Sequence, residues 1–227
     1  MCTLSTTSVP VKETMSNSLP PTIRETYRHG DLRQALVSAG IRMAAEGGPD
    51  AVILREATRQ AGVSPNAAYR HFADRQALLE AVSAAAQGIV ADKMHTAREA
   101  VSADDDEVIA AFARLRAVGR AYISFAQEQP GLFRAAFTVP EDLTHSGSAL
   151  KSGECGFTPF QVLSTTLDEL AATGALPPDR RANAELLAWS SVHGLGMLLI
   201  DGPLRGLTDE IIEHTAQRLL DLVERGL

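Results

Sequence analysis

The sequence predicts an all-α protein, on three observations. Apolar residues return at three- and four-residue spacing in one segment after another. Caps and stops typical of helices separate those segments, and no stretch shows the alternation of a half-buried strand. With 227 residues, 45% of them hydrophobic, the chain can bury a sizeable core as one large or two small domains.

Residues 1–22 are rich in Ser, Thr and Pro without periodicity and are expected to form a flexible tail. Asp31 suits a helix cap, and Leu32, Ala35, Leu36, Ala39 and Met43 form the apolar stripe of a first helix. Gly47-Gly48-Pro49 ends it. A second helix is expected over 53–61 and a third over 64–72, joined by a tight turn around Gly62. A fourth opens near Asp74 and runs to about Thr96. Asp104-Asp105-Asp106-Glu107 puts acid on the N-terminus of a fifth, where it complements the macrodipole. That helix carries Val108, Phe112, Leu115, Val118, Tyr122 and Phe125 and stops before Pro130. A short helix over 131–137 follows. The polar, Gly-rich stretch 138–156 reads as a mobile loop. Helices over 158–173, 180–200 and 208–225 complete the chain.

Composition excludes several classes. The N-terminus lacks the basic region and apolar core of a signal peptide. The longest uncharged apolar run, residues 186–200, spans about 22 Å as a helix, shorter than the roughly 20 residues a membrane crossing needs. It reads as a buried core helix. The two cysteines are Cys2, in the expected tail, and Cys155; no disulfide framework follows, and a reducing cytoplasm fits. No metal-ligand spacing, H-E-x-x-H, nucleophile elbow or phosphate-binding Gly loop occurs, so neither cofactor nor metal is expected. Enzyme chemistry would have to rest on His193, His145 or Cys155; the latter two lie in the 143–156 run without an evident orienting carboxylate. The net charge of −7 is uneven, +1 over residues 1–80 and −8 over 81–227. Such a front can touch phosphates while the rear avoids them.

Residues 53–72 have the grammar of a helix-turn-helix. Ser64 can accept an orphan N–H, Pro65 suits a first helical turn, and Gly62 supplies the tight turn. Ala57, Ala61 and Val63 let two helices cross closely, and Ala68 and Phe72 face the packed side. That leaves Asn66, Ala67, Tyr69, Arg70 and His71 to project outward. Asn can pair with adenine, an Ala methyl can meet a thymine methyl, and Tyr, Arg and His can donate to phosphates. Ser64, Arg55 and Arg75 can add contacts. By itself the stretch also fits an ordinary helical hairpin with a solvated face.

The flanks extend the pattern. Tyr27-Arg28-His29-Gly30-Asp31-Leu32-Arg33-Gln34-Ala35-Leu36, Arg55-Glu56-Ala57, Ala61-Gly62-Val63-Ser64 and Tyr69-Arg70-His71-Phe72-Ala73-Asp74-Arg75 with Leu78-Leu79 resemble the DNA-binding domain of the TetR family over residues 27–82. Trp189-Ser190-Ser191-Val192-His193-Gly194 and Pro130-Gly131-Leu132-Phe133-Arg134-Ala135-Ala136-Phe137 resemble the branch with a WHG-type C-terminal domain. The resemblance implies a tail at 1–22, a three-helix DNA-binding domain at 23–74, and a helical effector-binding and dimerisation domain at 75–227. It implies a homodimer on a pseudo-palindromic double-stranded operator, acting by default as a repressor and released by a small molecule. Two residues depart from the family. Ile53 stands where Thr often caps the second helix and touches a phosphate, and Thr58 stands where Ala is usual.

For the rear domain two readings stand. Tyr122, Phe125, Phe133, Phe137, Trp189, His193 and Met197 supply the walls of a pocket for a largely apolar effector, or they fill the core. Trp189 and His193 share a helix face, and a polar His193 there needs a partner, an effector or a backbone carbonyl. The helix ending at Ile200 is apolar nearly all round and must be covered. With Ile211, Ile212, Thr215, Leu219, Leu222 and Val223 it can form a four-helix interface across a two-fold axis, or its own chain covers it. The alternatives to a regulator are a helical protein-binding module and, further off, a small enzyme using His193.

Overall fold

The computed structural model describes residues 29–102, 105–140 and 142–227. The expected tail, and Tyr27 and Arg28 of the N-terminal motif, lie outside the described residues. The helices are α1 (His29–Gly47), α2 (Leu54–Gln60), α3 (Pro65–Tyr69), α4 (Arg75–Glu99), α5 (Glu107–Glu128), α6 (Pro130–Ala136), α7 (Pro159–Ala172), α8 (Pro178–Arg181), α9 (Ala184–Ile200) and α10 (Asp209–Gly226). A 3₁₀ turn, Pro49–Ala51, follows α1. No strand occurs among the described residues.

Local chemistry sets most of these boundaries. The Asp74 carboxylate accepts the Ala77 N–H at 2.8 Å and caps α4. Asp106 accepts from Val108 and Ile109 and caps α5. Thr158 and Gln161 form a reciprocal capping box at α7. Asp31, expected as the cap of the first helix, falls inside α1 instead.

The long helix α4 is the axis of the molecule. Its buried Leu78, Val82, Ala86, Val90 and Met94 are shared between α1 at the front and α5, α6 and α7 behind. The short α6 is wedged among three of these helices. A Cβ on Gly131 would lie 2.2 Å from the Ala44 carbonyl oxygen, so only glycine lets α6 sit on the C-terminal end of α1. At the other end of α6, Ser83 Oγ and Gln87 Nε2 both donate to the Ala136 carbonyl at 2.9 Å. Arg134 crosses to Asp201 at the end of α9 at 2.8 Å.

Four expectations change. The helix expected from residue 180 is broken: Ala182 is extended, Asn183 takes a left-handed φ of 61°, and α9 begins at Ala184. Asn tolerates that conformation better than other side chains. The break lets Arg181 reach both Asp168, at 2.7 Å, and Glu185, at 2.9 Å. The third helix is shorter than expected, with Arg70 already its C-cap. The stretch 138–156 is irregular but anchored: the Asp92 carboxylate of α4 accepts the Cys155 N–H at 2.9 Å and the Glu154 N–H at 3.0 Å. A carboxylate also stands by His145 after all, Asp142 at 3.2 Å, on a pair more than half exposed.

Candidate functional site

Two places concentrate chemistry. The first is the exposed side of α2 and α3. Gly62 turns the chain at φ 68°, the Val63 N–H donates to the Thr58 carbonyl, and Ser64 Oγ accepts the Ala67 N–H at 3.3 Å. Ala57, Ala68 and Phe72 are buried, and the Arg33 guanidinium lies 5.2 Å over the Phe72 ring. With that side packed, Ser64, Asn66, Tyr69 and Arg70 are exposed, Tyr69 at 58%. Ala67 and His71 are half-buried, so their outward projection is partial.

The arginines of this head differ in what they hold. Arg59 is tied to Glu56, whose carboxyl is held down to about 2 by the hydrogen bonds from Arg59 and Gln60. Arg75, expected on a phosphate, commits its Nε to the Val52 carbonyl at 2.8 Å and its Nη2 to the Pro49 carbonyl at 2.7 Å. It staples the turn after α1 to the start of α4. Arg55 and Arg70 have no carboxylate partner among the described residues. Ile53 caps α2 with no side-chain hydrogen bond and is half exposed. Thr58 is buried and donates its hydroxyl to the Arg55 carbonyl at 2.6 Å.

The second place is a cavity of about 680 Å³ lined by α4, α5, α6, α7, α9, α10 and the anchored loop. Of the seven residues proposed from the sequence, Tyr122, Phe137, Trp189 and His193 line it. Phe125, Phe133 and Met197 do not. Phe133 is fully buried behind His193, its ring stacked 5.4 Å away, and Phe125 is buried core; Met197 lies one turn past His193, packed on the core. Reasoning from the sequence missed Gln87, Met94, Leu115, Val118, Phe160 and Lys151. Leu115 and Val118 carried a signal, since they share the helical stripe of Tyr122. Lys151, buried at the end of a 3₁₀ turn, carried none.

The polar atoms of the wall form a chain. Trp189 Nε1 donates to Tyr122 Oη at 3.0 Å, and Tyr122 Oη lies 2.8 Å from His193 Nδ1. The partner of His193 is thus a tyrosine hydroxyl and not a backbone carbonyl. Burial pushes the Tyr122 hydroxyl far above its ordinary pKa and the His193 imidazole below its own. Both groups are neutral at pH 7.

Outside the cavity, α9 and α10 leave apolar side chains in the open. Leu187 and Leu198 of α9 and Ile211 and Leu222 of α10 are exposed, and a Cβ on Gly194 would meet nothing within 4 Å. No other described residue covers these side chains of α9. No helix of the described residues is long and apolar enough to cross a membrane.

Comparison with known proteins relates both halves of the chain to one family. The family model for bacterial regulatory proteins of the tetR family matches residues 36–82. The model for a tetracyclin repressor-like C-terminal domain matches residues 115–223. No curated protein matches the chain. Among solved structures, a protein with unknown function from Rhodococcus sp. RHA1 is similar at 28% identity and a TM-score of 0.67, over 90% of this chain and 99% of that one. A candidate TetR family transcription regulator from Shewanella sp. PV-4 has the same fold at 16% identity and a TM-score of 0.58, over 86% and 96%. So does TetR from Acinetobacter baumannii AYE, at 15% and 0.56, over 88% and 96%.

Proposed function

Since the chain belongs to the TetR family of transcription regulators, we propose that it is a repressor that holds a double-stranded operator as a homodimer and lets go when a small molecule fills the cavity. The observation that carries the reading is the division of labour among the arginines at the front. Those that fold the head are paired; Arg55 and Arg70, beside the exposed Asn66 and Tyr69, are left for DNA. In a two-fold dimer, two such heads read half-sites roughly 34–36 Å apart or a multiple of that. Ser64 and Arg55 touch phosphates, Asn66 and Tyr69 face the groove, and Ile53 leaves one usual phosphate contact unmade. The apolar side chains exposed on α9 and α10 form the dimer interface. We assign the rear half to the WHG-type branch on Trp189, His193 and Gly194.

The cavity communicates with the head through α6. Ala136 and Phe137 form part of the cavity wall, and Gly131, earlier in the same short helix, rests on the carbonyls of the last turn of α1. A ligand that displaces Phe137 moves a helix with no slack at its other end. Ligand binding then favours a different spacing of the two heads and disfavours the DNA-bound state by the same coupling free energy.

The test is selection of genomic fragments on the purified full chain, followed by fluorescence anisotropy at two salt concentrations. Sequence-selective binding that weakens steeply with salt is expected. Binding to no fragment, or equal binding to all of them, would sink the reading and favour a helical protein-binding module.

A further inference from the structure

The polar chain in the cavity wall has a direction. An indole N–H only donates, so Tyr122 Oη accepts from Trp189. The tyrosine's own proton then has one acceptor among the described residues, His193 Nδ1. A neutral imidazole that accepts at Nδ1 carries its proton on Nε2. The other neighbours of the ring are Phe133, stacked on it, and Phe137, edge-on at 5.1 Å. Among the described residues no acceptor is bonded to Nε2. His193 therefore presents an oriented N–H donor on a side of the wall built mainly of Val118, Phe137, Phe160, Leu163 and Val192.

We propose that the cavity takes an uncharged, largely apolar molecule with one hydrogen-bond-accepting oxygen, such as a ketone, ester or lactone carbonyl, seated on His193 Nε2–H. Tyr122 and Trp189 act as positioning residues that fix the histidine tautomer. The inference rests on the reading of the cavity as an effector site. It also gives the tryptophan and histidine of the Trp189–Gly194 motif a shared physical task. Two carboxylates also reach the wall: Glu224 is paired with Arg116 through Oε2, while its buried Oε1 has no hydrogen-bond partner among the described residues, and Asp142 accepts the Thr144 N–H. A ligand charge placed against the aromatic side of the cavity would lose its hydration without gaining an ion there.

Trp189 is the chain's one tryptophan, so its emission reports occupancy of the cavity without DNA. The full chain is titrated with four probes of matched length: methyl nonyl ketone, undecane, undecanoate and undecylamine. The ketone is expected to shift the emission and to bind about tenfold more tightly than the other three, the range that one satisfied buried donor supplies. His193→Phe should erase that advantage, and His193→Gln, which keeps an N–H, should restore part of it. Imidazole nitrogen NMR of the wild-type chain should show His193 protonated at Nε2 alone, and Tyr122→Phe should mix the tautomers. Undecanoate or undecylamine binding as tightly as the ketone, or a His193→Phe chain binding the ketone undiminished, overturns the ligand class and leaves the effector site standing. A wild-type His193 protonated at Nδ1 overturns it too, whether or not the variants fold. If none of the four probes moves the emission, the cavity is not a small-molecule site and both readings fall.

Discussion

Tyr122 Oη lies 2.8 Å from His193 Nδ1, so one hydroxyl from α5 satisfies a histidine on α9 and, at 3.0 Å, the indole of Trp189 one turn earlier. Tyr122→Phe leaves both ring nitrogens, half-buried in the cavity wall, without this partner. The expected cost is about 1–3 kcal/mol of stability. In a domain of this size that lowers the melting temperature by about 2–4 °C per kcal/mol, which thermal denaturation followed by circular dichroism measures. An unchanged melting temperature would mean that water replaces the hydroxyl freely.

On the DNA-reading head, Tyr69→Ala and Arg70→Ala should weaken operator binding about tenfold while leaving the melting temperature alone, since exposed side chains without partners contribute little to folding. Arg70→Ala should also reduce the slope of log affinity against log salt by about one, the signature of a lost phosphate contact. Arg59→Ala is the control: its guanidinium is already tied to Glu56. Normal operator affinity in both test variants would show that the surface of α3 is wrongly assigned.

Arg75 should behave in the opposite way. Its two bonds, to the carbonyls of Val52 and Pro49, hold the turn after α1 against the first turn of α4. Arg75→Ala is expected to cost about 1–3 kcal/mol of stability and to weaken DNA binding only as far as the head loosens. Arg75→Lys should not rescue it, because one ammonium lacks the planar fork that spans two carbonyls. Parallel melting and anisotropy measurements on the three chains separate this from a phosphate contact, which would leave melting untouched.

The contrast between Arg70 and Arg75 shows what a sequence reveals. Both are arginines beside a recognition helix, and pattern alone treats them alike. Ser64, Gly62, Asp74 and Thr158 act on neighbours within four residues, so caps and turns near them were legible, and α2 and α7 start within a residue of expectation. The acceptors of Arg75 lie 23 and 26 residues away, beyond any local rule. The cavity is of the same kind. Tyr122, Trp189 and His193 were visible as polar-tipped aromatics on apolar stripes. Which of seven candidates face the opening depends on how α5, α6 and α9 rotate against each other, and that placed Phe133 behind His193 instead of beside it. The break at Asn183 was hidden because one left-handed residue leaves the apolar spacing of α9 intact.

The exposed apolar side of α9 and α10 makes a prediction about assembly. Leu222 is 67% exposed, and Leu187, Leu198 and Ile211 are more than 40% exposed. Burying a leucine of this kind against a partner contributes about 1.5–3 kcal/mol. Leu222→Asp puts a charge into the proposed interface without touching the core of its own chain. Light scattering on the purified variant should give the mass of one chain where the wild type gives two. Operator affinity should fall with it, because a single head holds only a half-site. A dimeric Leu222→Asp chain would move the interface elsewhere.

The last prediction concerns Asp92, which anchors the 138–156 stretch to α4. Burial by itself would raise this carboxyl, but the N–H groups of Cys155 and Glu154 more than offset it and hold its pKa below the ordinary value. An unfolded aspartate titrates near about 3.9. The native state therefore binds its proton later than the unfolded chain does. The stabilisation is fully present above that pH and is lost as pH falls through the lower folded value. Asp92→Asn keeps one acceptor oxygen but turns an N–H₂ toward a backbone N–H, at a cost of about 1–2 kcal/mol. The gap in stability between wild type and Asp92→Asn should stay constant from neutral pH to about 5 and close below about 4, as urea titrations at each pH would show. The same variant should be cut sooner by protease within residues 142–156, because that wall of the cavity has lost its tie to α4. A gap that persists into acid would mean that Asp92 acts through packing and not through its charge.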